Sequence, residues 1–488
     1  MIQLYDKNLC RVETPQGTMT LSGIFIPFFL EMFLMNFMGT VNTFMLSFFS
    51  DDAVAAVGTA SQFSGMIATF YAVIGTGASI VISHNLGAGL NQAGECSSPL
   101  PDVRGTRCTD SSHSCAPLYI KQASDAAVSA LIFGALFSLV VSAATAAFAR
   151  PFMTLMHIEG NVLDNAVTYF KICMRFSFLG ALFSIISAIF KSYGKPRISV
   201  SVSLGMNLLN ALLNYLVIFR PFDFPLRGVS GIAWCNNISR AAGLLVMSAL
   251  LCRLLQGTGI RPDFRHGFTH CLKMIFPVLK VGIPGGISSL SYNISQTVTT
   301  SIIAIVGMTA ISTKIYVSNL VFYVYVLGMS LGLSTSLMIG WLSGAGKFEQ
   351  AYRLNLQNLK ITLALNVTLS LLLFLFGRPL LSLFTSDPEI IRAGSTLLFL
   401  DIFVELFRGF NHIEENSLRG AGDVLFPMAV SICSCWAISV LLSYLLGVKA
   451  GLGLSGCWIA FALDEAFRGV NYFFRWRSRK WTKKALCH

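Results

Sequence analysis

Charged residues are scarce in this chain of 488 residues, of which 12% are Asp, Glu, Lys or Arg and 54% are hydrophobic. That composition supplies too little polar surface for a soluble globular protein of this length, so that class is excluded. The apolar runs also lack the short alternation of barrel strands, which excludes a membrane barrel. The chain is therefore predicted to span a membrane with helices, whose backbones satisfy their own hydrogen bonds.

Three further absences narrow the function. The sequence has no GxxxxGK[ST] motif, so direct use of ATP is not expected. None of its 12 cysteines form a CxxC pair, which argues against a metal or redox site. No nucleophile and base pattern and no pore-loop repeat is visible, so a membrane enzyme or a channel is a weaker hypothesis than a transporter. We expect no catalytic activity, no metal and no cofactor.

Apolar runs long enough to cross a bilayer recur along the whole chain. The first follows a polar stretch, MIQLYDKNLCRVETPQG, that lacks the basic-then-apolar order of a cleaved signal, so we expect it to remain in the mature protein. The predicted spans are 19–49, 53–85, 124–148, 163–190, 197–219, 229–255, 272–305, 310–343, 359–377, 390–417, 424–447 and 453–474. The fold class is therefore an all-α polytopic membrane protein with twelve transmembrane helices.

The net charge of +12 is unevenly distributed between the two sides of the membrane. Most Lys and Arg in the connecting segments lie on the side of both termini, which predicts that both termini are cytoplasmic in a multi-pass protein of the cell membrane. The cluster RWRSRKWTKK at 475–484 is then a basic tail next to the membrane, where contact with anionic lipids is expected. Nucleic-acid binding is not expected.

An internal repeat is visible in the sequence. IPFFLEMFLMNFMGTVNT, from Ile26, resembles IPGGISSLSYNISQTVTT, from Ile283, and the GAG at 87–89 has the same offset from the GAG at 344–346. FKSYGKP at 190–196 resembles SLRGAGD at 417–423, and GVSGIAW from Gly228 resembles GLSGCWI from Gly453, at smaller offsets. Two six-helix lobes, 1–258 and 259–488, are predicted, related by a pseudo-two-fold axis along the membrane normal, with a cavity between them.

The offset between the two copies of the repeat becomes smaller between the GAG at 87–89 and FKSYGKP at 190–196. The first copy therefore contains an extra segment, which is AGECSSPLPDVRGTRCTDSSHSCAPLYIKQ at 93–122. It is rich in Pro, Ser and Cys and has no apolar periodicity, so it is predicted to be a disordered insertion in a cytoplasmic loop. Metal binding by Cys96, Cys108, His113 and Cys115 is the alternative, although their spacing matches no recognised ligand pattern.

The tenth predicted span contains an ionisable stripe. Asp401, Glu405, Arg408, His412 and Glu415 follow spacings that place them on one helix face. A charged side chain at the centre of a spanning helix costs about 2.5 to 3.5 kcal/mol, so this face should point into the bundle or a wet cavity. Binding of a coupling ion by the two acids is the functional hypothesis. The alternative is that Arg408 neutralises Glu405 and the pair only fixes helix packing.

Polar faces occur on other predicted helices. Asp464 and Glu465 precede Arg468 by one turn, which favours a local ion cluster, with Asp464 as a further coupling candidate. Glu31 is an acid one turn beyond Pro27. Two neutral faces are suited to a cation or to polar substrate groups, or serve helix packing alone: Ser203, Asn207, Asn210 and Asn214, and Ser289, Asn293, Gln296 and Thr300.

Taken together, several motifs resemble the multidrug and toxic compound extrusion (MATE) family of cation-coupled exporters. They are IPFFLEM, VNTFMLS and SDDAVAAVGTASQ near the start, GTGASIVISHNLGAG, NLLNALLNYLVIF, SLRGAGDVLFP and the final GLSGCWIAFALDEAFRGVNYFFRWRSRKW. The resemblance extends over nearly the whole chain outside 93–122. It departs from the family at Asn42, where many members have an aspartate, and at Asn210 and Asn214, where some members have one. Unlike an aspartate, an amide side chain cannot bind and release a proton.

The resemblance implies secondary-active efflux of amphipathic, often cationic drugs or toxins by antiport with H+ or Na+. We expect the protein to function as a monomer. The alternative is a flippase of lipid-linked saccharides, for which Arg240, Lys314 and Arg408 are the available intramembrane bases. The candidate residues for the coupling ion or substrate are Asp401, Glu405, Arg408, Glu31, Asn36, Gln62, Asn207, Asn210, Asn214, Asn293, Gln296 and Asp464.

Overall fold

A computed structural model describes residues 11–14, 17–47, 50–97, 116–154, 160–219, 226, 228–257 and 267–486, and nearly all of them are helical. The helices are α1 Leu21–Ser47, α2 Asp51–Ser97, α3 Ala116–Ala147, α4 Ala149–Thr154, α5 Gly160–Arg175, α6 Ser177–Ser192, α7 Pro196–Phe219, α8 Gly228–Gly257, α9 Gly267–Val306, α10 Met308–Gly344, α11 Phe348–Leu375, α12 Gly377–Ser382, α13 Pro388–Gly420, α14 Leu425–Ser434 and α15 Gly453–Arg477. After α14 the chain continues as π-helix, Cys435–Val440 and Ser443–Lys449, and a short 3-10 helix, Lys480–Lys484, follows α15.

A small antiparallel hairpin precedes the helices, and the apolar pattern gave no indication of it. Strand β1, Arg11–Thr14, pairs with β2, Gly17–Thr20. The only buried side chain of this hairpin among those described is that of Val12. The hairpin is too short to change the helical fold class.

The helices account for the twelve predicted spans. In the described part of the chain, nine helices are long and apolar enough to cross a membrane, and the pair α5 and α6, bent by 47° at the break between them, makes a tenth. The remaining two long helices, α13 and α15, contain the ionisable residues singled out above and are therefore less apolar. The bend divides the span predicted at 163–190.

The contacts divide the chain into two compact units. The N-terminal unit comprises Ile26–Ile82 and Cys115–Gly286, and the C-terminal unit comprises Met1–Phe25, Ser83–Ser114 and Ile287–His488. Each has an apolar core, centred on Phe170 and Met153 in the N-terminal unit and on Leu397 and Val317 in the C-terminal unit. These bounds differ from the lobes at 1–258 and 259–488, which stay a prediction.

Matching helix ends support the internal repeat. Gly194, after α6, and Gly422, after α13, both have left-handed backbones, with φ of 75° and 90°. After each glycine, the next backbone N–H donates to the carbonyl five positions earlier, at 2.9 Å in both cases. These are the bonds of a Schellman helix end, where glycine is favoured because it has no Cβ. The two copies of the motif thus fold into the same turn.

The two GAG motifs meet within the C-terminal unit. A Cβ atom added to Gly87 of α2 would overlap the carbonyl of Trp341 in α10, and one added to Gly344 of α10 would overlap the backbone of His84 in α2. The two helices therefore approach each other at the paired motifs as closely as their backbones allow.

The basic tail folds back at its second tryptophan. The Trp481 ring is fully buried and stacks on Trp476, with centroids 4.1 Å apart and an interplanar angle of 3°. Its Nε1 donates to the carbonyl of Trp476 at 3.0 Å. Lys480, Lys483 and Lys484 remain exposed, and contact with anionic lipids stays a prediction for them.

The insertion predicted at 93–122 lies partly outside the described residues. Residues 93–97 belong to α2 and residues 116–122 belong to α3, so the ends of this segment are helical. The prediction of a disordered loop was wrong for these ends, where each flanking helix continues past the matched repeat. Residues 98–115, and with them Cys108, His113 and Cys115, lie outside the described part of the chain.

Candidate functional site

Helix α13 positions the two acids of the ionisable stripe. The helix starts at a favourable cap, because the Asp387 side chain accepts a hydrogen bond from the backbone of Glu389 at 2.9 Å and Pro388 occupies the first helical position. One turn apart near the middle of the helix, Asp401 and Glu405 are both buried, and Glu405 is completely inaccessible. The predicted inward orientation of these acids is therefore present in the structure.

Glu405 has two polar partners. Its carboxylate forms an ion pair with Arg408, one turn along α13. It also accepts a hydrogen bond from Nδ2 of Asn366 in α11, at 3.3 Å. Because Arg408 pairs with Glu405, the negative charge of Asp401 needs a different partner.

The second contact of Arg408 joins α13 to α15. Nε of Arg408 lies 3.4 Å from Oε1 of Glu465, which in turn lies 3.0 Å from Nη2 of Arg468. Arg468 also pairs with Asp464 at 2.7 Å, and Asp464 accepts a hydrogen bond from Ser434. The ion cluster expected within α15 thus extends to the stripe of α13, and this continuity had no signal in the sequence.

Asp401 is bound differently from Glu405. Its Oδ1 accepts a hydrogen bond from Nε1 of Trp458 in α15, at 3.1 Å. Among the residues that the structure describes, no Lys, Arg or His lies within 4.0 Å of its carboxylate. The carboxylate lines a cavity of about 190 Å³ together with Gln296, Lys314 and Arg408. Asp401 is therefore a buried acid that faces a cavity without an ion pair.

A second cavity, of about 220 Å³, lies on the other side of the cluster along α13. It is lined by Asn293, His412 and Glu415, and by Arg408 and Glu465, which also line the first cavity. The Arg408–Glu465 contact therefore borders both cavities.

In the N-terminal unit, Glu31 already has a basic partner. Oε2 of Glu31 lies 2.8 Å from Nζ of Lys191 in α6. Its carboxylate also accepts hydrogen bonds from Ser187 at 3.2 Å and Ser199 at 3.3 Å. The Lys191 ammonium packs over the ring of Phe28, 4.6 Å from the centroid. Lys191 was not among the predicted site residues, because its partner lies 160 residues earlier in the chain.

The asparagines of α7 form an amide network with α1. Nδ2 of Asn214 donates to Oδ1 of Asn42 at 2.9 Å and to Oδ1 of Asn210 at 3.3 Å. Asn210 and Asn214 are buried, and Asn207, which is half-buried, lies one turn earlier on the same helix. The network is neutral, and it leaves amide atoms of these three asparagines without a protein partner. Such atoms are available to water or to a polar ligand.

Two candidates lie away from these clusters. Asn36 is exposed on α1, where its Nδ2 donates to the carbonyl of Met32 at 2.9 Å. Gln62 is exposed on α2. Their roles in binding stay predictions, and the structure adds no contact that supports them.

The sequence also matches known proteins. A sequence model of the MatE family matches residues 27–95, 119–216 and 284–445. The chain belongs to this family. The first interruption of the match falls within the segment 93–122 that separates the two halves of the repeat in the sequence analysis. MATE proteins are transporters, and the resemblance seen in the motifs is confirmed.

Two relatives match this MATE protein over all or nearly all of their length. The "Uncharacterized transporter YisQ" of Bacillus subtilis strain 168 is 34% identical over 100% of both chains. The "Probable multidrug resistance protein NorM" of Thermotoga maritima is 25% identical over 99% of this chain and 97% of the relative.

Among solved structures, a multidrug resistance MATE family transporter of the MOP superfamily, described as outward-facing, superimposes with a TM-score of 0.79. The two are 18% identical, and the match covers 97% of each chain. This likeness shows the fold. The prediction of a twelve-helix, all-α membrane protein with two lobes is confirmed, and the chain is a multi-pass membrane transporter of the MATE family.

Proposed function

We propose that this MATE protein exports amphipathic, often cationic small molecules in exchange for H+ or Na+, and that the coupling ion binds at the carboxylates of α13. Membership of the MATE family supports the transport activity. The charged residues of the C-terminal unit support the location of the ion site on α13. Export by ion exchange needs no ATP and no organic cofactor, in keeping with the absence of a nucleotide-binding motif.

The observation that supports this most strongly is an excess of acids in one buried cluster. Glu405, Asp464 and Glu465 pair with the two guanidinium groups of Arg408 and Arg468, and Asp401 lines a cavity together with members of this cluster. Counting the ammonium of Lys314, which lines the same cavity as Asp401, one acid still has no basic counterpart. An uncompensated buried carboxylate is costly, so a proton or a metal cation must neutralise it.

Asp401 and Glu405 are the best candidates for this neutralisation. Glu465 is within 4.0 Å of two guanidinium groups and Asp464 of one, at 2.7 Å. Among the described residues, Asp401 is hydrogen-bonded only to the Trp458 indole, and Glu405 shares its arginine with Glu465. A cationic substrate that enters the cavity competes with the coupling ion for the same carboxylates, and this competition is the thermodynamic basis of antiport.

The proposal also includes the oligomeric state, the location and the partners of the protein. The protein works as a monomer in the cell membrane with both termini in the cytoplasm, in contact with membrane lipids and with no nucleic-acid partner. A flippase of lipid-linked saccharides is less favoured, because Lys314 and Arg408 share their cavity with the acids Asp401, Asp464 and Glu465, while Arg240 belongs to the other unit.

Export is tested in a host that lacks its own multidrug pumps. The parent protein should lower the accumulation of a cationic dye and raise resistance to it, and Glu405→Gln should do neither at equal protein level in the membrane. Glu389→Gln is the matched control, because Glu389 is an exposed acid in the first turn of the same helix. Unchanged dye accumulation on expression of the parent protein would contradict the proposed export.

A further inference from the structure

Lys314 is a basic residue in the membrane-spanning helix α10. Its Nζ donates to Oγ1 of Thr300 in α9, whose hydroxyl donates to the carbonyl of Gln296 at 2.7 Å. Within the described part of the chain, no carboxylate lies within 4.0 Å of this ammonium. A neutral hydroxyl does not compensate a positive charge, and an unpaired base inside a bilayer indicates a functional site.

The ammonium faces a cavity with aromatic walls. Lys314 and Asp401 line the same cavity of about 190 Å³, whose walls include the rings of Phe322, Trp458 and Phe461. Indole and phenyl rings supply apolar and cation-attracting surface. A protein cavity of about 150 Å³ holds a benzene molecule, so this cavity has room for one substituted ring.

Two opposite charges that line one cavity without forming an ion pair define a dipolar site. We propose that Lys314 binds an acidic group of the transported molecule, so that the cavity accepts a zwitterionic aromatic group. The oxyanion of this group contacts the Lys314 ammonium, and its ammonium contacts Asp401. This inference rests on the proposed function, since it takes the cavity as part of the substrate path, and it narrows the substrate class.

The arrangement is compatible with antiport. The ammonium of the zwitterion competes with the coupling ion at Asp401, so binding of one opposes binding of the other. The oxyanion occupies a separate position at Lys314, so its contribution to affinity does not depend on that competition. A molecule with only the oxyanion would leave Asp401 unneutralised and should bind weakly.

The test compares three ligands that share one ring. They are para-(aminomethyl)benzoate, which is a zwitterion, para-(aminomethyl)benzamide, which keeps only the cation, and para-methylbenzoate, which keeps only the anion. Their binding to the purified full-length protein is followed by ligand-observed NMR titration at neutral pH, without any ion gradient. We expect the zwitterion to bind at least about tenfold more tightly than either other ligand, because charge-assisted hydrogen bonds are the stronger ones.

Variants separate a binding role from a structural one. Lys314→Met keeps the stem and removes the charge, and it should bring the zwitterion and the amide within about twofold of each other. Lys314→Arg should keep the preference, and so should Lys449→Met, which removes an exposed lysine at the end of the π-helical segment. Thermal unfolding of each variant checks that it is folded.

Equal binding of the zwitterion and the amide by the parent protein would overturn the inference, and so would a preference that survives in folded Lys314→Met or binding of none of the three ligands. If Lys314→Met does not fold, Lys314→Gln is measured instead, with the same expectation. The binding test measures no transport, so a negative result in it does not contradict the proposed export. In the same way, a failure to observe export does not change the binding result.

Discussion

Nε of Arg408 lies 3.4 Å from Oε1 of Glu465, across the contact between α13 and α15. The same guanidinium pairs with Glu405 on its own helix. Arg408 therefore divides one positive charge between two helices, and any change in their separation alters how well Glu405 is compensated. In this way an ion that binds at Glu405 is linked to the relative position of two helices.

Arg408→Ala should destabilise the protein strongly. Removing one partner of a buried ion pair costs about 3 to 5 kcal/mol, because the remaining charge is left buried, and Glu405 is completely inaccessible. The measurement is thermal unfolding of the purified protein in detergent. Arg353→Ala is the matched control, since Arg353 pairs with Glu349 at the exposed start of α11, and exposed pairs contribute about 0 to 1 kcal/mol. An equal loss in both variants would argue against a buried pair at Arg408.

Gly344→Ala should disrupt the crossing of α2 and α10. Its Cβ would overlap the backbone of His84, and forcing an atom into such a contact costs about 1 to 3 kcal/mol. Gly205→Ala in α7 serves as the control, because no atom outside the adjacent backbone of its own helix lies within 4 Å of the added Cβ, and alanine favours a helix over glycine. The amount of folded protein in the membrane and the melting temperature are measured for both variants and for the parent protein. Unchanged stability of Gly344→Ala would mean that the helices are farther apart there than described.

Trp481→Ala should destabilise the packing of the basic tail against the end of α15. The ring is fully buried against Trp476, and truncation of a buried Trp costs about 3 to 5 kcal/mol. Trp436→Ala is the comparison, with a smaller expected loss, because Trp436 is 42% exposed. Protease cleavage of the tail, followed on the purified protein, should accelerate in Trp481→Ala only. Equal cleavage of the parent protein would show that the tail is not packed.

Replacing residues 98–115 with a short Gly and Ser linker should leave transport within about threefold of the parent, since the second copy of the repeat lacks this segment and the closure entropy of a connection changes little with its length. The segment lies in the first gap of the family match. Dye efflux and membrane insertion are compared at equal expression. Loss of the inserted protein would show that the segment is needed for folding.

Most of the fold was predictable from the sequence, because apolar runs of sufficient length form helices in a bilayer whatever their neighbours are. The bend between α5 and α6 was not, since it lies at Phe176 and Ser177, where no proline marks it. The hairpin at the start was also missed, because four-residue strands are too short to show a clear alternation.

The candidate site was predictable only within single helices. Periodicity places Asp401, Glu405 and Arg408 on one face, but it contains no information about Glu465 or Trp458, which reach them from α15. The partner of Glu31 was missed for the same reason. Contacts between helices depend on how the helices pack, and a single sequence has no signal for that.

The most direct test of the coupling site uses purified protein in lipid vesicles, with a pH gradient and a Na+ gradient imposed separately and the efflux of a cationic dye followed. Glu405→Gln and Asp401→Asn keep the shape of the side chains and remove their charge. We predict that both variants insert normally and lose gradient-driven efflux, whereas Glu389→Gln retains it. Full gradient-driven efflux by both amide variants would contradict a coupling site on α13.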